Sequence, residues 1–358
     1  MPLTIRQRLL DLLAIGRVAN LPTVWSNLVL GILLGLAVPS HILTVGPVGP
    51  SGTSYWSWNP DVSLPQILSA LLGVTCAYLC GTFLNDWKDA EFDRSHRPER
   101  AIPAGRFLGG TILLAAIGFG AVSLAAFFLL SVAALAAGLV LIACILTYTW
   151  IHKRTPLAII PMGLCRACLY VIGFLTVASD QLWQVVLEDL LRPARLLGDP
   201  VPGTVFLQTF LMALGILVYI AGLTLAARYE SRPEGLKAPR VLLWFLIFIP
   251  LLTHTWWWIF HRPPFLEGWH LAIPALIGLL PFLLWTTRAL VVLKKSIPDF
   301  VSRTLAGLCL VDLLALPGIA ASIQTPWPFV NAYSLLLAII PLSLFLLALV
   351  LQRLAPAT

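Results

Sequence analysis

Apolar stretches of about twenty residues recur along the chain, at roughly 22–38, 64–84, 108–130, 132–150, 157–178, 205–227, 241–260, 271–292, 303–323 and 331–352. Twenty residues of helix rise about 30 Å, the thickness of a bilayer's hydrocarbon core. Nothing in that core hydrogen-bonds to an exposed backbone, so each stretch has to satisfy its own amides as a helix. The sequence predicts an all-α fold, a polytopic transmembrane helix bundle of ten spans, or nine where prolines interrupt the late segments. Length alone suggests two domains. A composition 59% hydrophobic and only 11% charged excludes that, and residues 1–358 read as a single membrane-embedded domain. Ahead of the bundle (22–352), residues 1–16 set Leu9, Leu10, Leu12 and Leu13 against Arg6, Arg8 and Asp11, the pattern of an amphipathic helix lying in the interface.

The bases fix an orientation. With the N-terminus inside, nineteen of the 23 Lys and Arg residues fall on inner segments, and Arg192, Arg195 and Arg262 fall outside. Arg166 lies within the fifth span. Such asymmetry is a strong topology signal. The net charge of +7 is therefore a mark of membrane orientation and of a phosphate site, not of nucleic-acid binding. The protein is expected to be multi-pass, with a cytoplasmic N-terminus and cytoplasmic polar loops, in the plasma membrane of a bacterium. No small-residue cleavage site follows a short apolar core near residue 20, so no cleaved signal peptide is expected. The six cysteines all fall in apolar segments and read as packing residues, Cys165-Arg-Ala-Cys168 included. A short interfacial helix is expected around 183–191, and His254, beside a run of tryptophans, reads as interfacial packing.

The second span leads into Asn85-Asp-Trp-Lys-Asp-Ala-Glu-Phe-Asp93, then Arg94, Arg97, Arg100 and Arg106. Asn85, Asp89 and Asp93 are four apart, which on a helix places three oxygen-bearing side chains on one face, about 6 Å between neighbours. Asp86 lies beside that face. Stacked acids at a helix C-terminus oppose its dipole unless a cation compensates. Mg²⁺ takes hard oxygen ligands of this kind while keeping waters and substrate phosphate, and arginines match phosphate oxygens. Carboxylates for a metal, then arginines for phosphate, at a membrane surface, point to a diphosphate with a lipid tail. With the N-terminus inside, spans two, four and six all end on this side, so their polar ends are able to converge on one cavity.

The constellation resembles the UbiA superfamily of intramembrane prenyltransferases, in a divergent, EboC-like branch. The resemblance rests on Asn85-x-x-x-Asp89-x-x-x-Asp93, then Arg97-Pro98-x-Arg100, Pro103 and Gly105-Arg106. Arg17-x-x-Asn20-x-Pro22-Thr23-x-Trp25-x-Asn27 is similar to the family's first helix, and Tyr148 to Lys153 to its segment after the fourth. Where the family carries a second aspartate-rich motif, only Arg228 and Glu230 stand here.

The resemblance implies Mg²⁺ held by Asn85, Asp86, Asp89, Asp93 and Glu230. It implies a diphosphate held by Arg97, Arg100, Lys153, Arg166 and Arg228, with Asn27, and a carbocation shielded by Tyr148. Asp89, Asp93, Lys153 and Tyr148 are the expected catalytic set. The expected partners are a prenyl diphosphate, a small hydrophobic, possibly aromatic, acceptor and the lipid bilayer. The missing second motif keeps an alternative open: a non-catalytic protein that binds or transports a polyprenyl phosphate or isoprenoid product. Glu230 reads equally as a ligand of a reduced second metal site or as an anchor for a nearby arginine. Asp312 sits in a late span with no motif around it, and a hydrogen bond between helices and a functional role are both open.

Overall fold

A computed structural model describes residues 4–37, 62–177, 202–228, 240–260, 272–316, 319 and 330–354. The helices are α1 (Ile5–Ile15), α2 (Leu21–Leu36), α3 (Leu64–His96), α4 (Gly109–Phe128), α5 (Val132–Ile151), α6 (Ile159–Val177), α7 (Pro202–Ala227), α8 (Arg240–Phe260), α9 (Ala272–Val292), α10 (Ile297–Ala306), α11 (Leu308–Leu313) and α12 (Val330–Leu354). Among the described residues eight helices are long and apolar enough to cross a membrane, and α8 adds a shorter apolar run, Leu242–Trp256. The helix expected around 183–191 lies outside the described residues.

Local chemistry sets the helix starts. Pro22 and Pro65 occupy first turns, where a missing N–H costs nothing. The Gln66 side chain accepts from the Ser63 backbone N–H at 2.9 Å, and Ser131 Oγ accepts from Ala134 N at 3.0 Å. Between α1 and α2 the chain turns sharply at Arg17, whose φ of 42° is the only positive value at a non-glycine residue among those described. A left-handed residue with a Cβ costs about 1–2 kcal/mol.

In sequence neighbours, α3 packs on α4, α5 on α6, α6 on α7 and α7 on α8, while α2 crosses the bundle to pack on α6 and to touch α11 and α12. The α2–α6 crossing is close because both helices present glycine. A Cβ on Gly31 would lie 2.9 Å from Gly173 Cα and 3.0 Å from Phe174 N, and nearer still to the Tyr170 carbonyl oxygen. Hydrophobic driving force is weak between helices in lipid, so such backbone approach, with its dispersion contacts, carries much of the packing.

Over 303–323 the sequence predicts one continuous span, and the structure differs. The helix stops at Gly307, giving α10 and the short α11. Helix ends leave carbonyls unsatisfied, which is costly at membrane depth. Here side chains of three other helices bind the carbonyls of the last turn: Gln352 Nε2 donates to Ser302 O at 2.9 Å, Trp285 Nε1 to Arg303 O at 2.7 Å, beside the Gly307 N–H at 2.9 Å, and Tyr219 OH to Thr304 O at 2.9 Å. The break is stable because those donors are built around it. It also carries Asp312 on a short, fixed element against α2.

Candidate functional site

Residues of α3 from Val74 to Asn85 form one wall of a cavity of about 280 Å³, whose lining also includes Arg17, Arg97, Arg100, Tyr148 and Arg166. Apolar side chains of α3, α5, α6, α7 and α10 line the rest, among them Val74, Ile145, Leu169, Leu223 and Leu305. The arrangement is amphipathic: Arg97 and Arg100 stand at the end where α3 carries its acids, Arg166 comes from within α6, and most of the remaining wall is hydrocarbon.

The face expected from the four-residue spacing is present and turned inward. Asn85, Asp89 and Asp93 are 8%, 7% and 4% exposed. Buried carboxylates need counter-charge, and each has it. Lys153 Nζ lies 2.7 Å from Asp89 Oδ1, with His152 Nε2 at 3.4 Å from Oδ2. Arg100 Nη1 lies 2.8 Å from Asp93 Oδ2 and 3.8 Å from Asp86 Oδ1, and Arg17 Nη2 lies 3.5 Å from Asp86. The Lys153 ammonium also sits 3.8 Å from the Phe92 ring centre, a cation–π contact.

The left-handed turn at Arg17 acquires a reason here. It aims a guanidinium at Asp86 from the first turn of the bundle, and Tyr78 OH holds the Arg17 carbonyl at 3.1 Å. Strain of this kind persists where surrounding contacts over-determine it.

Fit to a hard cation is tested by what the oxygens still lack. Asn85 Oδ1 is buried with no hydrogen-bond partner, an expensive omission for a cavity-lining amide unless something fills it. Among the described residues no group of three His, Cys, Asp or Glu side chains is placed to share a metal. Mg²⁺ does not need one: one or two carboxylates, an amide oxygen, waters and substrate phosphate suffice. The donor set at this end of α3 fits such an ion.

Not every expected residue reaches this cluster. Arg228 does not line the cavity. Its Nη1 donates to the carbonyl oxygens of His152 at 3.2 Å and Thr155 at 2.7 Å, so the end of α7 holds the turn that presents Lys153. Glu230 lies outside the described residues. Tyr148 stacks on His152 with ring centres 5.2 Å apart and faces the cavity. Arg106 makes a two-point pair with Asp11, Nε at 2.7 Å and Nη2 at 3.0 Å, which ties α1 to the α3–α4 connection.

Asn27 lies deeper. Fully buried, it accepts from Arg166 Nη1 at 3.2 Å and donates through Nδ2 to both oxygens of Asp312, at 3.1 and 3.0 Å. Ser26 Oγ and Tyr170 OH also donate to Asp312. His254, expected at the interface, is instead fully buried behind Tyr170, its Nε2 3.2 Å from the tyrosine oxygen. Its flanking tryptophans misled that expectation, because helix phase rather than sequence proximity decides which side chains face lipid. Arg17, Ser26, Tyr170 and His254 escaped sequence reasoning as members of polar clusters. For Tyr170 and His254 the available signal was a polar residue within an apolar span.

Residues 44–306 match the UbiA prenyltransferase family. Among solved structures, the apo form of a UbiA homologue from Aeropyrum pernix K1 superposes with a TM-score of 0.57 at 15% identity, over 82% of this chain and 94% of that one. A structure of digeranylgeranylglyceryl phosphate synthase gives 0.53 at 16%, over 89% and 99%. A UbiA homologue from Archaeoglobus fulgidus bound to GPP and Mg²⁺ gives 0.43 at 14%, over 96% and 99%. No curated protein sequence matches significantly.

Proposed function

The chain belongs to the UbiA prenyltransferase family and is an integral, multi-pass membrane protein, and from that footing we propose that it transfers an isoprenyl group from a prenyl diphosphate to a small hydrophobic acceptor, with Mg²⁺. The observation that carries the reading is the buried face Asn85–Asp89–Asp93, whose Asn85 end, with an unsatisfied amide oxygen, lines an apolar cavity together with Arg97 and Arg100, while Asp89 pairs with Lys153 and Asp93 with Arg100. Acids and bases that now satisfy one another are matched for exchange. Carboxylates suit the ion, and the bases suit the diphosphate.

In this reading Asn85, Asp89 and Asp93, with Asp86 beside them, hold Mg²⁺, which when bound supplies Lewis acidity to the diphosphate oxygens. Arg97, Arg100 and Lys153 take the remaining phosphate charge, and Arg166 reaches it from deeper in the cavity. The bond between the allylic carbon and the diphosphate oxygen breaks, and its electron pair leaves with the diphosphate. The positive charge aimed at that oxygen stabilises the developing anion most in a site shielded from water. Tyr148 lines the cavity, and its aromatic ring is suited to a developing allylic cation. The acceptor attacks that carbon and then loses a proton. The tail lies among the aliphatic side chains of α5, α6, α7 and α10. Arg228 contributes by fixing the turn that carries Lys153.

The test uses purified protein, Mg²⁺ and a panel of labelled prenyl diphosphates, with and without phenolic acceptors. Diphosphate release by the wild type that disappears in Asp89→Ala is the expected result. Tight binding without release across the panel refutes transfer and supports the carrier alternative.

A further inference from the structure

We propose that Asp312 is a positioning residue, which through the Asn27 side chain holds the Arg166 guanidinium toward the cavity. The proposal rests on the reading of that cavity as a diphosphate site. Arg166 is 6% exposed and lines the cavity. A guanidinium within a membrane span is costly without a partner. The acids at the mouth are engaged elsewhere: Asp89 with Lys153, Asp93 with Arg100, and Asp86 with Arg17 and Arg100. The buried acid within reach is Asp312, 2% exposed, and the link runs through one amide.

The chemistry of that amide gives the link a direction. Asparagine offers a donor end and an acceptor end. A carboxylate only accepts, so Asp312 claims the NH₂ of Asn27 at both of its oxygens. The oxygen of Asn27 is thereby left facing Arg166, which only donates. Turning the amide over would set NH₂ against guanidinium and oxygen against carboxylate, repulsion at both ends in place of three bonds. Ser26 and Tyr170 likewise point hydroxyl hydrogens at Asp312, so every close polar neighbour treats it as an acceptor. The side chains that bind the carbonyls of residues 302–304 fix the helix break just before Asp312. The linkage joins α11, α2 and α6, and its outer end is Arg166, a cationic side chain in the cavity lining.

The test is a double-mutant cycle on the full chain in detergent, with Arg166→Gln, Asp312→Asn and the double variant. Affinity for inorganic diphosphate with Mg²⁺ and apparent melting temperature are both measured. Each single variant is expected to weaken diphosphate binding about tenfold, and the double variant to weaken it no further, because the two residues act as one unit. Melting shifts should be similarly non-additive. Wild-type affinity in Asp312→Asn, or losses that multiply in the double variant, would overturn the proposal. Should Asp312→Asn fail to fold, Asn27→Leu replaces it, with the same tenfold loss expected and wild-type affinity overturning. If the wild type itself shows no affinity for diphosphate, the reading of the cavity fails. The linkage is then decided by the melting cycle alone, where additive shifts overturn it.

Discussion

Replacing Gly31 by alanine tests whether the α2–α6 crossing sets the geometry of the site. The added Cβ would lie 2.9 Å from Gly173 Cα and 3.0 Å from Phe174 N, with the Tyr170 carbonyl oxygen closer still. Ordinary carbon contacts are about 3.5–4.0 Å. All three obstacles are backbone atoms, so no side chain can swing away, and the helices must part by about 1 Å. Overpacking of this kind costs about 1–3 kcal/mol. The cost also reaches the site. Asn27 sits one turn before Gly31 on α2, and Arg166 one turn before Tyr170 on α6, so their 3.2 Å contact spans the joint being forced open. A 1 Å misplacement of catalytic geometry is worth roughly a hundredfold in rate. Diphosphate release from the prenyl diphosphate that the wild type turns over fastest should fall about that far, with a lower melting temperature. Gly118 on α4 is the control: its Cβ would meet nothing within 4 Å, and alanine is the better helix former. If Gly31→Ala melts and turns over like the wild type, or Gly118→Ala is equally damaging, the crossing does not have the role assigned to it.

Two other outcomes are expected. Arg228→Gln removes both bonds to the carbonyls of His152 and Thr155; turnover should fall about tenfold and amide hydrogen exchange at 152–158 should quicken, whereas unchanged exchange would disconnect Arg228 from the turn. Chelating Mg²⁺ should weaken inorganic diphosphate binding at least tenfold, because Asp89 and Asp93 then keep Lys153 and Arg100 to themselves. By linkage, diphosphate should tighten Mg²⁺ binding by the same factor, and a titration that finds the two ligands indifferent to each other refutes the exchange of partners.

What the sequence made legible follows a physical divide. Span positions came from hydropathy, a property local to each stretch, and the observed helix limits lie within a few residues of the expected ones for α2, α4, α5 and α12. The face of Asn85, Asp89 and Asp93 was legible because helical periodicity alone brings residues four apart together. The break at Gly307 was not legible, since it depends on donors from residues 219, 285 and 352, far away in the chain. Asp312 stayed ambiguous for the same reason: its partners lie 142 to 286 residues distant. Arg228 was placed at the right end of the bundle but given a direct part with the phosphate. Only the fold reveals that two carbonyl oxygens already occupy it.

The length of α3 has a consequence for traffic. Its 33 residues rise about 50 Å, some 20 Å more than an oil slab is thick. The surplus carries Asp89 and Asp93 past the apolar stretch 64–84 of the same helix. Under the proposed function, an amphiphile drifting sideways in the bilayer would meet the protein with its charged end already near these acids. Such a substrate would have no need to leave the bilayer, and its search for the site would be a two-dimensional one.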